Sequence, residues 1–282
     1  MIQIALPNKG ALSDEAVVLV KEAGYRCRRS GRELSLDDAD NEVEFLFLRP
    51  RDIAVYVGRG IIELGVTGRD LNLDADEPAF EVMALGFGRS SFRYAVPQDS
   101  SLTPDDFQGL RIACSYGNIV RRDLERRGVK ASVVPLDGAV EISVKLGVAD
   151  AVADVVESGQ TLREAGLKTV GEPVMESEAV VIAHSLDVTE KPACRTFLKR
   201  LQGIVLAREY AMIEYDMERS RLAGAVRLTP GIEAPTIAPL NDPNWVAVKA
   251  MLKKKGLNAV IDELSELGAK GIVVTDIRTC RL

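Results

Sequence analysis

Apolar and polar positions alternate in two different periods along this chain. IQIALP (2–7) is nearly continuous apolar residue and predicts a short buried strand. Behind it Ala16, Leu19, Val20 and Ala23 recur at helical spacing, with Ser13 as the expected cap and Gly24 as the stop. VEFLFLR (43–49) predicts a second strand, Pro50 the first position of a helix, and ELGVTGRD (63–70) a strand ending in a turn. This alternation of strand and helix implies an α/β layer.

A second block repeats the pattern from Phe92. LRIACS (110–115), ASVVPL (131–136) and ADAVADVV (149–156) read as strands. NIVRRDLERRG (118–128) and AVEISVKLG (139–147) read as the helices between them. EAVVIA (178–183) returns as a strand, and a long helix is expected from Lys191 to Arg208.

The remaining chain has another grammar. AMIEYDM (211–217), PTIAPL (235–240), WVAVKAML (245–252) and GIVVTDIR (271–278) are strand-like. ERSRLAGAV and LNAVIDELSELG (257–268) are helical, the latter with Leu257, Val260, Ile261, Leu264 and Leu267 on one face. The order βαββαβ predicts a ferredoxin-like module.

Composition narrows the function. The 282 residues suit two or three domains, and 46% hydrophobic content suffices for sizeable cores. A net charge of −6 disfavours nucleic acid and anionic membranes, so a phosphate-bearing ligand must meet a local basic patch. No charged and apolar leader opens the chain, and no run of about 18 apolar residues predicts a membrane span. The scattered cysteines 27, 114, 194 and 280 read as reduced thiols of a cytoplasmic protein. The single histidine, His184, leaves no room for a His-rich metal site or a His-based triad. There is no GxxxxGK[ST] and no GxGxxG.

The stretch ADAVADVVESGQTLRE is the most informative. Ligands of α/β sheets bind beyond the C-terminal strand ends. Here the strand end delivers Asp154 and then Glu157-Ser158-Gly159-Gln160-Thr161, with Thr161 and Glu164 spaced as a capping box. Such a turn offers backbone N–H groups and hydroxyls to an anion, and Asp154 an acceptor for ribose hydroxyls. A plain strand-turn-helix with a good cap is the other reading.

The run D-A-x-A-D-V-V-E-S-G-x-T resembles the phosphoribosyl-diphosphate (PRPP) loop of the ATP phosphoribosyltransferases. LPNKGALS, FLRPRDIAVYVGRG, LGVTGRD, LGFGRSSFRYAVP and LDGAVEISVKLGVADAVADVVESGQTL resemble that family's segments in order. TPGIEAPTIAPL, WVAVKAM and AKGIVVTDIR resemble the extra domain of its long form. Only residues 26–41 match poorly, and they read as a variable surface segment with Cys27 incidental. The resemblance implies a two-lobed catalytic region like a type II periplasmic binding protein. Lobe one would span 1–90 with a return at 184–210, lobe two 91–183 with the PRPP loop, and a ferredoxin-like histidine-binding regulatory domain 211–282.

The implied reaction joins N1 of the ATP adenine to C1 of PRPP and releases pyrophosphate. Adenine N1 carries a lone pair and no proton, so no strong base is required. The demand is to hold the diphosphate, with Mg²⁺ and cationic side chains. Lys9 and Arg49 at strand ends suit phosphate oxygens; each also reads as a solvated cation. Asp70 and Glu141 complete the catalytic set, against the plainer readings of a turn aspartate and an i,i+4 partner of Lys145. Asp154, Val155, Val156, Glu157, Ser158, Gly159, Gln160 and Thr161 would bind PRPP; Lys9, Gly10 and Tyr116 would bind ATP, the tyrosine by stacking or else only by packing. Arg89 and Arg93 flank the lobe crossover. Arg121, Arg122, Arg126 and Arg127 read as a solvated helix face rather than an ATP site.

In the third domain Asp216, Thr236, Met251, Gly271 and Thr275 match the family's allosteric histidine site. Dimers assembling to a homohexamer, and independence from a separate regulatory subunit, follow from the same resemblance. A solute-binding protein or a ligand sensor on the same fold is the alternative.

Overall fold

The first apolar run forms β1 (Ile2–Pro7), buried along nearly its whole length. The computed structural model describes residues 1–27 and 33–281, so residues 28–32 of the poorly matching segment lie outside it. After β1 come α1 (Ala11–Glu22), β2 (Ser35–Asp38), β3 (Val43–Leu48), α2 (Pro50–Gly58), β4 (Leu64–Gly68), α3 (Arg69–Asp74) and β5 (Phe80–Ala84). Pro50 stands at the start of α2 as expected. Ser13 does not cap α1. The helix begins two residues earlier, behind Gly10, whose φ of 80° lets the chain turn into it. The expected turn at Asp70 is the first turn of α3. Cys27 is not a surface residue; it is 1% exposed, and in the same lobe Tyr25, Phe45 and Phe197 meet edge-on or tilted.

The second block contains β6 (Ser90–Pro97), β7 (Arg111–Cys114), α4 (Gly117–Arg127), β8 (Ser132–Pro135), α5 (Ile142–Lys145), β9 (Ala151–Val156), α6 (Gln160–Glu164) and β10 (Leu167–Ser177). The helix expected over 139–147 shrinks to four residues, because Ala139 and Gly147 both take positive φ and close it at each end. The chain continues through β11 (Ala179–Ala183), α7 (Leu186–Thr189) and α8 (Pro192–Glu209).

Two sheets result, in the orders β2-β3-β1-β4-β11-β5 and β10-β6-β9-β7-β8. Each takes one antiparallel strand into its middle from the far side of a crossover: β11 lies between β4 and β5, and β6 between β9 and β10. This is the two-lobed arrangement of the type II periplasmic binding proteins. The crossovers run from β5 to β6 and from β10 to β11. The return to the first sheet therefore starts at Ala179 rather than at 184, and EAVVIA belongs to lobe one. β4 and β11 are buried at every residue, as central strands must be. Glu178 ties the two crossovers, accepting from the Gly86 N–H at 3.0 Å and pairing with Arg69 at 3.4 Å.

Contacts divide the chain into Met1–Leu198 and Lys199–Leu282. In the second unit β12 (Tyr210–Glu218), α9 (Leu222–Leu228), β13 (Thr236–Pro239), β14 (Trp245–Lys253), α10 (Leu257–Glu266) and β15 (Lys270–Asp276) give the expected βαββαβ order. The sheet order β13-β14-β12-β15, antiparallel throughout, is ferredoxin-like. Ala211, Ile213, Tyr215 and Met217 alternate into a core with Leu257 and Leu264 of α10. Burying each large apolar side chain contributes about 1.5–3 kcal/mol. Among the described residues no helix is long and apolar enough to cross a membrane.

Candidate active site

Strand β9 ends at the first site. Glu141, Leu162 and every residue from Asp154 to Thr161 line one cavity of about 250 Å³. Gly159 takes φ 71°, which an L side chain adopts only with strain, and starts α6 directly behind it. The expected capping box is absent: Thr161 lies inside α6, and Glu164 accepts from Gln160 Nε2 at 2.7 Å instead. The hydroxyls consequently stay available. Thr161 Oγ1 has no hydrogen-bond partner among the described residues, and Ser158 accepts only a long 3.4 Å contact from the Gln160 N–H. A second cavity, about 400 Å³, shares Ser158 and Gly159 in its lining and includes Arg93 and Arg163.

Asp154 is half-buried, and burial pushes its carboxyl above the usual range, with Glu141 and Asp70 adding to the rise. The Val155 N–H opposes this. Two other sequence-predicted carboxylates thus act on Asp154. Asp150, four residues earlier, is spent on structure. Its carboxylate takes the Arg111 backbone N–H at 2.8 Å and the guanidinium at 2.8 and 3.1 Å, which holds it below its usual range.

Asp70 is buried at the start of α3. Its N–H donates to Ser177 Oγ at 3.1 Å, and the Ser177 hydroxyl donates back to Oδ1 at 2.8 Å. A Cβ on Gly68 would stand 2.3 Å from that Oδ1, so the strand end requires glycine there. Burial above all, and then the neighbouring Asp70, push the Tyr116 phenol up. The Tyr116 ring meets Phe92 edge-on at 5.4 Å.

The cations divide sharply. Lys9, Gly10 and Arg49 are exposed, and neither Lys9 nor Arg49 has an acidic partner among the described residues. The arginines of α4 are engaged: Arg121 on Asn118, Arg122 on the Leu73 carbonyl, Arg126 and Arg127 on buried Asp123. Arg51, which sequence reasoning missed, pairs with Asp74 at 2.7 Å and stands 5.1 Å from the Tyr116 ring centroid. The signal was Arg-Pro-Arg, two guanidiniums at one strand end.

The family model described as ATP phosphoribosyltransferase matches residues 49–203, and that of the HisG C-terminal domain matches 207–279. The chain belongs to the ATP phosphoribosyltransferase family. It is 58% identical to the ATP phosphoribosyltransferase of Salinibacter ruber over the full length of both chains. With that of Rhodococcus jostii it shares 52%, over all of this chain and 99% of the other. Among solved structures it is similar to the ATP phosphoribosyl transferase (HisG:HisZ) complex from Thermotoga maritima. The TM-score is 0.62 at 25% identity, covering 72% of this chain and 97% of that one. Members of this family are transferases of histidine biosynthesis, and the chain is one of them, which sets aside the non-catalytic readings.

The second unit holds another cavity, about 330 Å³, lined by Asp216, Thr236 and Gly271 together with Glu214 and Lys249. Glu214 and Lys249 form an ion pair there. A Cβ on Gly271 would lie 3.9 Å from Asp216 Oδ2. Met251 and Thr275 do not line this cavity. Both pair with Met212, one row along the same open face of the sheet.

Proposed function

We propose that this chain transfers the phosphoribosyl group of PRPP to N1 of the ATP adenine through the cavity at the end of β9. The observation that carries the reading is the meeting there of Glu141 and the whole Asp154–Thr161 loop. The N1–C1 bond forms as the bond from C1 to the diphosphate oxygen breaks, and the electron pair leaves on pyrophosphate. Ser158, Thr161 and the backbone at Gly159 hold a phosphate group, and Asp154 and Glu141 accept from ribose hydroxyls. Uncommitted Lys9 and Arg49 are suited to the leaving diphosphate. Tyr116, with Lys9 and Gly10, is assigned to ATP, and Asp70 fixes the tyrosine.

Mg²⁺ is commonly held by one or two carboxylates plus substrate phosphates. Glu141 and Asp154 provide that donor set beside the loop. When bound there, the ion would neutralise the diphosphate as charge builds on it. The chain's own residues do the orienting, which supplies much of the rate.

The open face of the second unit is assigned to histidine, with Asp216 for its amine or imidazole and Thr236 for a hydrogen bond. Met251 and Thr275 extend the site along the neighbouring row. Histidine would shift the population toward a less active form. A cytoplasmic homohexamer built from dimers, working without a separate regulatory subunit, completes the reading. The test is the formation of phosphoribosyl-ATP from ATP, PRPP and Mg²⁺, followed by its near-ultraviolet absorbance with and without histidine. Product that falls with histidine is expected. Product insensitive to histidine overturns the regulatory assignment alone, and no product from folded protein overturns the transferase.

A further inference from the structure

Asp74 closes α3 in the first lobe, with its side chain 5% exposed. Its Oδ1 accepts from the backbone N–H groups of Asn118 at 2.9 Å and Ile119 at 3.2 Å. Those amides open α4, which belongs to the second lobe and has no side-chain cap from its own N-cap residue, Tyr116. A carboxylate of one lobe therefore caps a helix of the other. Asn118 answers by donating to the Asp74 carbonyl at 2.8 Å and to Asp76 at 3.0 Å. Arg122 donates to the Leu73 carbonyl at 2.8 Å.

Arg51 extends this junction toward the substrates. Nη1 donates to Asp74 Oδ2 at 2.7 Å, and Nη2 to the Ser115 carbonyl at 2.7 Å. The same guanidinium lies over the Tyr116 ring at 5.1 Å from its centroid, and Asp70 is the strongest acidic neighbour acting on the Tyr116 phenol. A buried carboxylate is costly to leave unpaired. Parting the lobes here would strip Asp74 of two amides and Arg51 of the Ser115 carbonyl and the Tyr116 ring, leaving the buried Asp74 carboxylate with Arg51 alone.

We propose that Asp74 is a positioning residue for phosphoribosyl transfer, fixing the two lobes at this edge and, through Arg51, holding Tyr116 against Asp70. The proposal rests on the assignment of Tyr116 and Asp70 to substrate binding. It is separate from that assignment, because Asp74 lines neither cavity beside the loop.

Asp74→Asn distinguishes positioning from mere stability. Asparagine caps a helix about as well as aspartate, so the α4 amides keep an acceptor while Arg51 loses its counter-charge. The expected result is a melting temperature within about 5 °C of wild type, a PRPP KM within about twofold, and kcat down about ten- to hundredfold. Arg51→Lys keeps a charge but loses the planar fork and the stacking, and should show the same split. Combined with Tyr116→Phe, Asp74→Asn should cost less than the product of the single effects, since both act on one unit. An active wild type with unimpaired Asp74→Asn and Arg51→Lys, or effects that simply multiply, overturns the positioning role. A wild type inactive toward ATP and PRPP overturns the functional reading, and the role with it.

Discussion

The two ends of β9 put the same side chain to opposite uses. At the entering end Asp150 is saturated by Arg111, through both backbone and guanidinium. At the leaving end Asp154 has only the Val155 N–H at 2.8 Å and two acidic neighbours in its field. The cations repeat the contrast: those of α4 are engaged within the chain, while Lys9 and Arg49 at the ends of β1 and β3 are not. Along β9 the charge committed to the fold sits at the entering end, and the charge kept in reserve at the leaving end. In parallel sheets that second end is where ligands bind.

The largest effect should come from removing the reserve itself. Ser158→Ala with Gly159→Ala is expected to weaken PRPP binding about a hundredfold or more, since hydrogen bonds to charged groups contribute about 1.5–3 kcal/mol each. Calorimetric titration of the folded double variant checks this, and wild-type affinity would remove the loop from the site. Next, Lys9→Ala and Arg49→Ala should each lower kcat/KM about a hundredfold, while Arg121→Ala stays within about twofold. Equal losses in all three would erase the distinction between committed and reserved cations.

Asp123 probes the committed side. Burial opposes its ionisation, yet Arg127, Arg126 and Tyr94 outweigh burial and hold its carboxyl below the usual range. Its folded-state value lies under the unfolded one. The stabilisation is therefore present above about pH 4 and lost as pH falls through the depressed value. Asp123→Asn should cost about 2–3 kcal/mol near neutrality, and the gap to wild type should close in acid melts. A gap independent of pH would contradict the assignment.

Asp154 gives the subtlest reading. Its raised carboxyl accepts from ribose most strongly when ionised, so kcat/KM for PRPP should fall as pH drops through that raised value. Glu141→Gln removes one repelling neighbour and should move the acid limb to lower pH. An unmoved limb would mean the two carboxylates do not share the site.

The βαββαβ module was legible in the sequence because its two central strands, β12 and β14, alternate in and out over six or more residues. β10 was not. LKTVGEPVMES holds Gly171 and Pro173, and its register shifts between Val170 and Met175, so no alternation survives. β2 is short, largely exposed and acidic, and nothing in SLDD marks it as a strand. Within the site the loop was legible because its chemistry is contiguous. Asp74 and Ser177 were invisible, and Arg51 showed only as the second guanidinium of Arg-Pro-Arg, because each acts on a residue far along the chain that only the folded lobes bring near.

The return strand also sets a schedule for synthesis. The first sheet cannot close until Ala179–Ala183 slots between β4 and β5. A ribosome must therefore release some 180 residues, most of the second lobe included, before the lobe that begins at Met1 is complete. Until then β4, buried at every residue in the finished protein, presents an open edge. The oldest part of the nascent chain is among the last to be sealed, and it is there that chaperones would find the exposed edge.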